Sequence, residues 1–287
     1  MQSHSNALAR AKVNLTLHVG AAIAEGEFRG YHPVESLVVF ADFGDALDFI
    51  PAKRASLRID GPFGEGLSAG PDNLVMRSLA LTHAGPHQVI LSKSIPVSAG
   101  LGGGSANAAA VLRTFDPDGL VDDAALGADI PVCRLSQTTM MEGIGEKITP
   151  MTGLGQVPAV LANPGIAVST GDIFRAFDAD THDVRPAQTA RSGSMIGRAL
   201  SGSNDLAPYA IDQCESIATL IDMLAEQDGC QLARMSGSGA SVFALFESDA
   251  AADAAAARLS SNIADVPNLW VRACRLGDPA SELSGSV

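Results

Sequence analysis

Apolar and polar residues alternate from Ala11 to Val19: Ala11, Val13, Leu15, Leu17 and Val19 fall on one parity, Lys12, Asn14, Thr16 and His18 on the other. Period two predicts a half-buried β-strand. Lys12 and Asn14 then project from one face, with Cα atoms about 6.5–7 Å apart at the usual rise. Further strands are predicted at 34–40, 46–50 and 57–60, separated by Gly, Pro and charged residues. Leu74, Leu79 and Leu81 predict a helix, with Asp72 or Asn73 as its cap and His83-Ala84-Gly85-Pro86 as its stop. A strand at 89–93 leads into a loop at 94–104. The alanine run after Ser105 is a strong helix former, ended by Asp116-Pro117-Asp118-Gly119, and Gly127-Ala128-Asp129-Ile130-Pro131 turns the chain into 132–135.

The second half predicts a strand at 159–163, a helix after Ser169-Thr170 and a long helix at 211–227 with Ile217, Leu220, Ile221 and Leu224 on one face. A strand at 242–247, an alanine-rich helix at 250–259 and a last strand near 269–275 follow. This mixture predicts an α+β fold with helices on one side of a sheet. The Gly- and Pro-rich stretch 150–158 is the predicted boundary, dividing the chain into domains at 1–153 and 154–287. The Ser- and Gly-containing tail beyond Gly277 is expected to be loose.

Composition narrows the function classes. Hydrophobic residues at 46% and charged residues at 18% predict a packed globular chain rather than a disordered one. A formal net charge of -13 argues against a phosphate-backbone binder, which needs clustered Lys and Arg, so nucleic acid is not expected as a partner. No run of about 18 apolar residues predicts a membrane span. The start Met1-Gln2-Ser3-His4-Ser5-Asn6 does not read as a signal peptide. Cys133, Cys214, Cys230 and Cys274 form no C-x-x-C pair and read as reduced thiols. The expected setting is cytoplasmic. His4, His18, His83, His87 and His182 lack ligand-like spacing and read as surface or structural residues. Nothing in the sequence calls for an obligate protein partner.

The stretch richest in chemistry is Pro96-Val97-Ser98-Ala99-Gly100-Leu101-Gly102-Gly103-Gly104-Ser105-Ala106, between an apolar strand and an alanine-rich helix. Glycines let main-chain N–H groups approach a ligand, and a helix start adds unpaired donors and a positive dipole end. Together they predict a phosphate cradle, against the plainer reading of a flexible turn. It is not a Walker loop, since no Lys follows Gly104, and G-x-G-x-x-G fails at Ser105. A second run of small residues, Ser236-Gly237-Ser238-Gly239-Ala240-Ser241, reads either as a tight turn or as backbone that approaches the same site.

Pro96-x-x-x-Gly100-Leu101-Gly102-x-x-Ser105-Ala106 resembles the phosphate-binding motif of the GHMP kinases, the galactokinase, homoserine kinase and mevalonate kinase superfamily. Ala11-Lys12-Val13-Asn14-Leu15, Gly30-Tyr31-His32-x-x-Glu35-Ser36, Gly127-Ala128-Asp129-Ile130-Pro131-Val132, Asn163-Pro164-Gly165 with Ser169-Thr170 and Phe174, and Met235-Ser236-Gly237-Ser238-Gly239 follow the order of the branch that phosphorylates a cytidyl-diphosphate methylerythritol in non-mevalonate isoprenoid biosynthesis. The resemblance covers nearly the whole chain. It implies a two-domain α+β fold, an N-terminal mixed α/β domain and a C-terminal ferredoxin-like antiparallel sheet with helices, with the active site in the cleft between them. It implies ATP with Mg2+ as phosphate donor and phosphorylation of the erythritol 2-hydroxyl of a small-molecule substrate.

Residue by residue, the resemblance makes Asp129 the candidate general base and Lys12 the cation beside it. Pro96, Val97, Ser98, Ala99, Gly100, Leu101, Gly102, Gly103, Gly104, Ser105 and Ala106 would hold the nucleotide phosphates, with Ser105 facing Mg2+ or phosphate and Asn73 near adenine. Asn73 is equally readable as a helix cap alone. Asn14 would orient the substrate, Tyr31 would stack on the cytosine, His32 would hydrogen-bond it, Phe174 would stack from the opposite side, and Thr170 would donate to the diphosphate. Without the resemblance, Asp129 reads as a turn residue, Lys12 as a solvated strand residue and Phe174 as core. Two other readings stand beside this one: a GHMP kinase of a sugar or small alcohol, and a non-catalytic nucleotide-binding regulator, which the short segment between Ser105 and Asp129 would favour.

Overall fold

A computed structural model of the chain describes residues 4–123, 125–180, 186–261, 266 and 268–279. Residues 1–3, His182 and the tail beyond 279 lie outside them; at the start of the tail expected to be loose, Asp278 is instead buried, its carboxylate accepting from the Thr138 amide. Two compact units are each built from three stretches: Met1–Lys12, Phe43–Val97 and Gly102–Ser136 form the first, and Val13–Asp42, Ser98–Leu101 and Gln137–Val287 the second. Strands β1 (Ser5–Asn14) and β3 (Val34–Pro51) contribute residues to both, and β2 (His18–Val19) belongs to the second.

The first unit pairs β4 (Ser56–Asp60) in parallel with β5 (His87–Ser92), and β5 runs antiparallel to the C-terminal part of β3, with Phe49 opposite Val89. Helices α1 (Leu74–Leu81), α2 (Gly103–Phe115) and α3 (Ile130–Leu135) complete it, α2 packing against both others. The strands predicted at 34–40 and 46–50 are one continuous strand. Asp42, Gly44 and Asp45 look like turn residues, yet Asp42 accepts a hydrogen bond from the Arg275 amide and Asp45 is buried and hydrogen-bonded. Gly44 has a steric reason to be there. A Cβ at that position would lie 2.0 Å from the Ala9 carbonyl oxygen, so the close approach of β1 to β3 takes a residue without a side chain.

Asn73 caps α1: its Oδ1 accepts from the Val75 amide at 2.9 Å. Replacing it by alanine leaves that amide without its side-chain acceptor. Asn73→Ala is therefore expected to lower unfolding free energy by about 1 kcal/mol, read as a shift in the urea midpoint at constant m.

In the second unit β2 pairs with the start of β3, β6 (Thr139–Gly143) pairs with β3 and with β7 (Lys147–Pro150), and β8 (Gln156–Asn163) opens a further motif whose last strand, through Leu276 opposite Ala41, pairs with β3. After β8 come α4 (Thr170–Asp180), α5 (Met195–Leu200), α6 (Ala207–Gln213) and α7 (Ser216–Ala225). β9 (Cys230–Met235), β10 (Val242–Phe246), α8 (Asp249–Ser261) and β11 (Trp270–Gly277) follow. The four strands lie antiparallel in the order β11-β8-β10-β9. Strand, helical segment, two strands, helix, strand in that spatial order is the ferredoxin-like arrangement. One parity of the sheet (Val160, Ala162, Val242, Ala244, Phe246) packs against Ile217, Leu220 and Leu224 of α7 and Ala252, Ala255 and Leu259 of α8.

The helix predicted across 211–227 is broken. Cys214 leaves helical geometry at φ -149° and ψ 89°, and its carbonyl accepts from the Ile217 amide as α7 begins. The break lets Cys214 and Ile217 both enter the core. Among the described residues no helix is long and apolar enough to cross a membrane.

Candidate active site

The polar face of the 11–19 stretch departs from the expectation of a half-buried strand. Lys12, Asn14, Thr16 and His18 are all buried along with their apolar neighbours. Burying polar groups is costly unless they are paired, so their partners are informative.

In the first unit, Lys12 Nζ donates to Asp129 Oδ1 at 2.8 Å. The exposures are unequal, 6% for the lysine side chain and 38% for the aspartate. The amine is fixed inside and the carboxylate opens outward. Asp129 precedes α3 without capping it, and Pro131 sits in the first turn, where its missing N–H forfeits no helical bond. The short connection from α2 to α3 does not keep Asp129 from Lys12. Burial first, and then the Asp129 charge, push the Cys133 thiol up to about 12, so this neighbour stays protonated.

Helix α2 begins at Gly103, two residues before the predicted Ser105, so Gly103 and Gly104 belong to its first turn. Its cap is Gly102 at φ +62°, no side chain caps it, and no acidic residue stands in the first turn. A Cβ on Gly102 would lie 3.2 Å from Lys12 Cβ and Cε, so the Lys12 side chain runs along this turn. The arrangement leaves first-turn amides and the positive helix end for an anion. Ser105 is half-buried and Ala106 buried within the same helix, while Pro96 is buried and Val97 exposed ahead of it. Asn73 is engaged locally at both ends of its amide, Nδ2 donating to the Ser68 carbonyl at 2.7 Å.

In the second unit, Ala99 and Gly100 meet the small-residue run 236–241. The Ser241 amide donates to Ala99 O at 3.1 Å, and Ser236 Oγ donates to Gly100 O at 3.2 Å. Ser98 and Gly100 have φ of 52° and 70°, and a Cβ on Gly100 would meet the Ser236 carbonyl oxygen at 2.5 Å. The second glycine run therefore braces the first at Ala99 and Gly100, through one main-chain amide and one serine hydroxyl.

Asn14 Nδ2 donates to Ser36 Oγ at 2.7 Å, and the Ser36 hydroxyl spends its single proton on the Thr16 carbonyl at 2.5 Å. Ser36 can then only accept from Asn14, which fixes the amide orientation. Asn14 Oδ1 is left buried without a partner. His32 lies against Phe174, with ring centroids 4.8 Å apart, and against Phe177 at 5.9 Å. Its Nδ1 donates to the Gly20 carbonyl at 2.9 Å and its Nε2 is 3.5 Å from Asp178 Oδ2. Tyr31 is 53% exposed and meets Phe28 edge-on. Thr170 Oγ1 and Ser238 Oγ are 2.8 Å apart.

Of the remaining histidines, His4 and His83 are exposed, and His87 is buried with Nδ1 on the Gly85 carbonyl. His18 is buried, 3.4 Å from Asp205 Oδ1. Sequence reasoning missed Ser36 and Asp178 as partners of the candidate residues. Ser36 stood inside the Gly30-Tyr31-His32 motif, whereas Asp178 carried no signal beyond its place one turn after Phe174.

Residues 73–117 match the GHMP kinases N terminal domain and residues 185–265 the GHMP kinases C terminal domain. The chain is 41% identical over 273 residues to 4-diphosphocytidyl-2-C-methyl-D-erythritol kinase of Dinoroseobacter shibae, covering 92% of each protein. It is 42% identical over 282 residues to the protein of that name in Paracoccus denitrificans, covering 96% of this chain and 98% of the relative. A crystal structure of 4-(cytidine 5'-diphospho)-2C-methyl-D-erythritol kinase superimposes with a TM-score of 0.73 at 28% identity, covering 96% of this chain and 100% of that one. The chain belongs to the GHMP kinases, and within them to the 4-diphosphocytidyl-2-C-methyl-D-erythritol kinase family.

Proposed function

We propose that the chain transfers the γ-phosphate of ATP to the 2-hydroxyl of 4-diphosphocytidyl-2-C-methyl-D-erythritol, giving the 2-phosphate and ADP in non-mevalonate isoprenoid biosynthesis. The observation that carries this is the 2.8 Å contact between a buried Lys12 amine and an outward-facing Asp129 carboxylate, with Lys12 running along the glycine turn. Phosphoryl transfer needs an aligned hydroxyl, an acceptor for its proton and positive charge around the transferring oxygens. Asp129 accepts the hydroxyl proton through the oxygen that Lys12 does not hold. The hydroxyl oxygen bonds to the γ-phosphorus as the bridge to the β-phosphate breaks, and ADP leaves. Lys12 keeps the carboxylate oriented and stabilises charge on the transferring group.

The donor set at the start of α2, first-turn amides and the Ser105 hydroxyl, suits a triphosphate that brings its own Mg2+. When bound, that ion neutralises charge on the β and γ oxygens. Asn14 Oδ1, buried and lacking a donor, is the acceptor for a substrate hydroxyl. Tyr31 supplies a face for the cytosine, Phe174 stacks from the other side, and His32 addresses the base through Nε2 because Nδ1 is held by Gly20. Thr170 donates to the diphosphate, and Asn73 stands near adenine.

Measuring ADP release with the cytidyl compound, mevalonate and homoserine tests the reading. The expected result is turnover with the cytidyl compound at least about a hundredfold above either alternative. No stimulation by the cytidyl compound overturns it. ATP binding without turnover on any of the three would instead mark a regulator.

A further inference from the structure

Both ends of the glycine loop meet at one carboxylate. Asp45 is completely buried on β3, one residue after Gly44. Its Oδ1 accepts from the Ser94 and Ile95 amides at 2.7 and 2.8 Å, the last main-chain donors before Pro96 opens the loop. Its Oδ2 accepts from Asn107 Nδ2 at 2.9 Å, on the second turn of α2 where the loop has closed, and from the Lys93 amine. Lys93 and Asn107 are themselves buried, at 4% and 3% exposure. A Cβ on Gly103 would lie 2.9 Å from Lys93 Nζ, so this ammonium sits directly behind the first turn of α2.

A buried carboxylate that receives two amides, a carboxamide and an ammonium has its acceptor sites filled, and each donor is charge-assisted. Such a group fixes positions more than it adds stability, because ion desolvation offsets much of the attraction. The segments it ties together are the entry strand and exit helix of the loop. We propose that Asp45, with Lys93 and Asn107, is the positioning centre of the glycine loop and governs nucleotide affinity rather than recognition of the cytidyl substrate. This rests on the proposed assignment of the loop to ATP.

The experiment compares Asp45→Asn and Asn107→Ala with the unaltered chain in three measurements: hydrogen–deuterium exchange of amides 97–104, the Kd for ATP by titration, and the KM of each substrate. Asp45→Asn leaves Lys93 buried without its counter-charge and risks unfolding. Asn107→Ala is neutral, keeps the Asp45–Lys93 pair and serves as the folded test. The expected result is exchange at least about tenfold faster in the loop, a Kd for ATP raised about tenfold for Asp45→Asn and about threefold for Asn107→Ala, and a KM for the cytidyl compound within twofold. Unchanged exchange and unchanged Kd in folded Asn107→Ala overturn the proposal, as does equal weakening of both substrates. If the unaltered chain binds ATP and its loop responds as expected but the cytidyl compound is not phosphorylated, the substrate assignment falls and the anchor stands.

Discussion

Asp129→Asn is expected to lower kcat by about 10²–10⁴-fold with the Kd for ATP within threefold. The substitution preserves size and the hydrogen bond to Lys12 Nζ but removes the negative charge that takes up the hydroxyl proton. Because the Asp129 side chain is 38% exposed, the amide finds water and the fold is retained. Single-turnover measurement separates this loss from slow product release. Lys12→Ala, which removes the 6%-exposed partner, is expected to cut kcat comparably. Near-normal kcat in Asp129→Asn would remove Asp129 as the base.

Alanine at Gly100 and at Gly104 should give opposite results although both glycines belong to one loop motif. At Gly100 the chain has φ +70° and a Cβ would stand 2.5 Å from the Ser236 carbonyl oxygen, a main-chain atom that also receives the Gly239 amide. Left-handed geometry costs an L-residue about 1–2 kcal/mol, and displacing the bracing run adds to it. A loss of about 2–3 kcal/mol, roughly 5–10 °C in Tm, is expected, with ATP affinity down at least about tenfold. At Gly104 the nearest atom to a new Cβ is Leu74 Cδ1 at 3.7 Å, within the first turn of α2. There alanine gains helix propensity of up to about 1 kcal/mol, so the melting temperature is expected to hold or rise. Equal tolerance at both positions would mean that the 236–241 run does not brace the loop.

Much of this was legible in the chain itself, for identifiable reasons. Period-two and alanine-rich segments gave β8, β10, α8 and β11 close to their observed bounds because each carries its signal within its own sequence, such as the buried stripe Ala252, Ala255 and Leu259 of α8. The glycine loop and its motif company gave the family, and the Lys12 and Asp129 positions that the structure brings together. What was not legible arose from contacts distant in sequence. β3 looked like two strands because Gly44 and Asp45 carry turn chemistry, whereas one admits β1 and the other binds the entry to the loop. Burial of Lys12, Asn14, Thr16 and His18 depended on partners 21 to 187 residues away, such as Leu37 for Thr16, Ser36 for Asn14 and Asp205 for His18. α5, β6, β7 and β9 went unpredicted, β9 because its sequence Cys230-Gln231-Leu232-Ala233-Arg234-Met235 alternates weakly at the edge of its sheet.

The weaving of each unit from three stretches has a consequence for how the chain is made. The stretches of the first unit are all synthesised by Ser136, while the second needs residues up to the last strand before its sheet can close. During translation at about 5–20 residues per second, the half that carries Lys12, Asp45 and Asp129 can assemble first, with 13–42 and 98–101 waiting on later segments. For the same reason, no single cut in the polypeptide yields two fragments that each contain one whole unit.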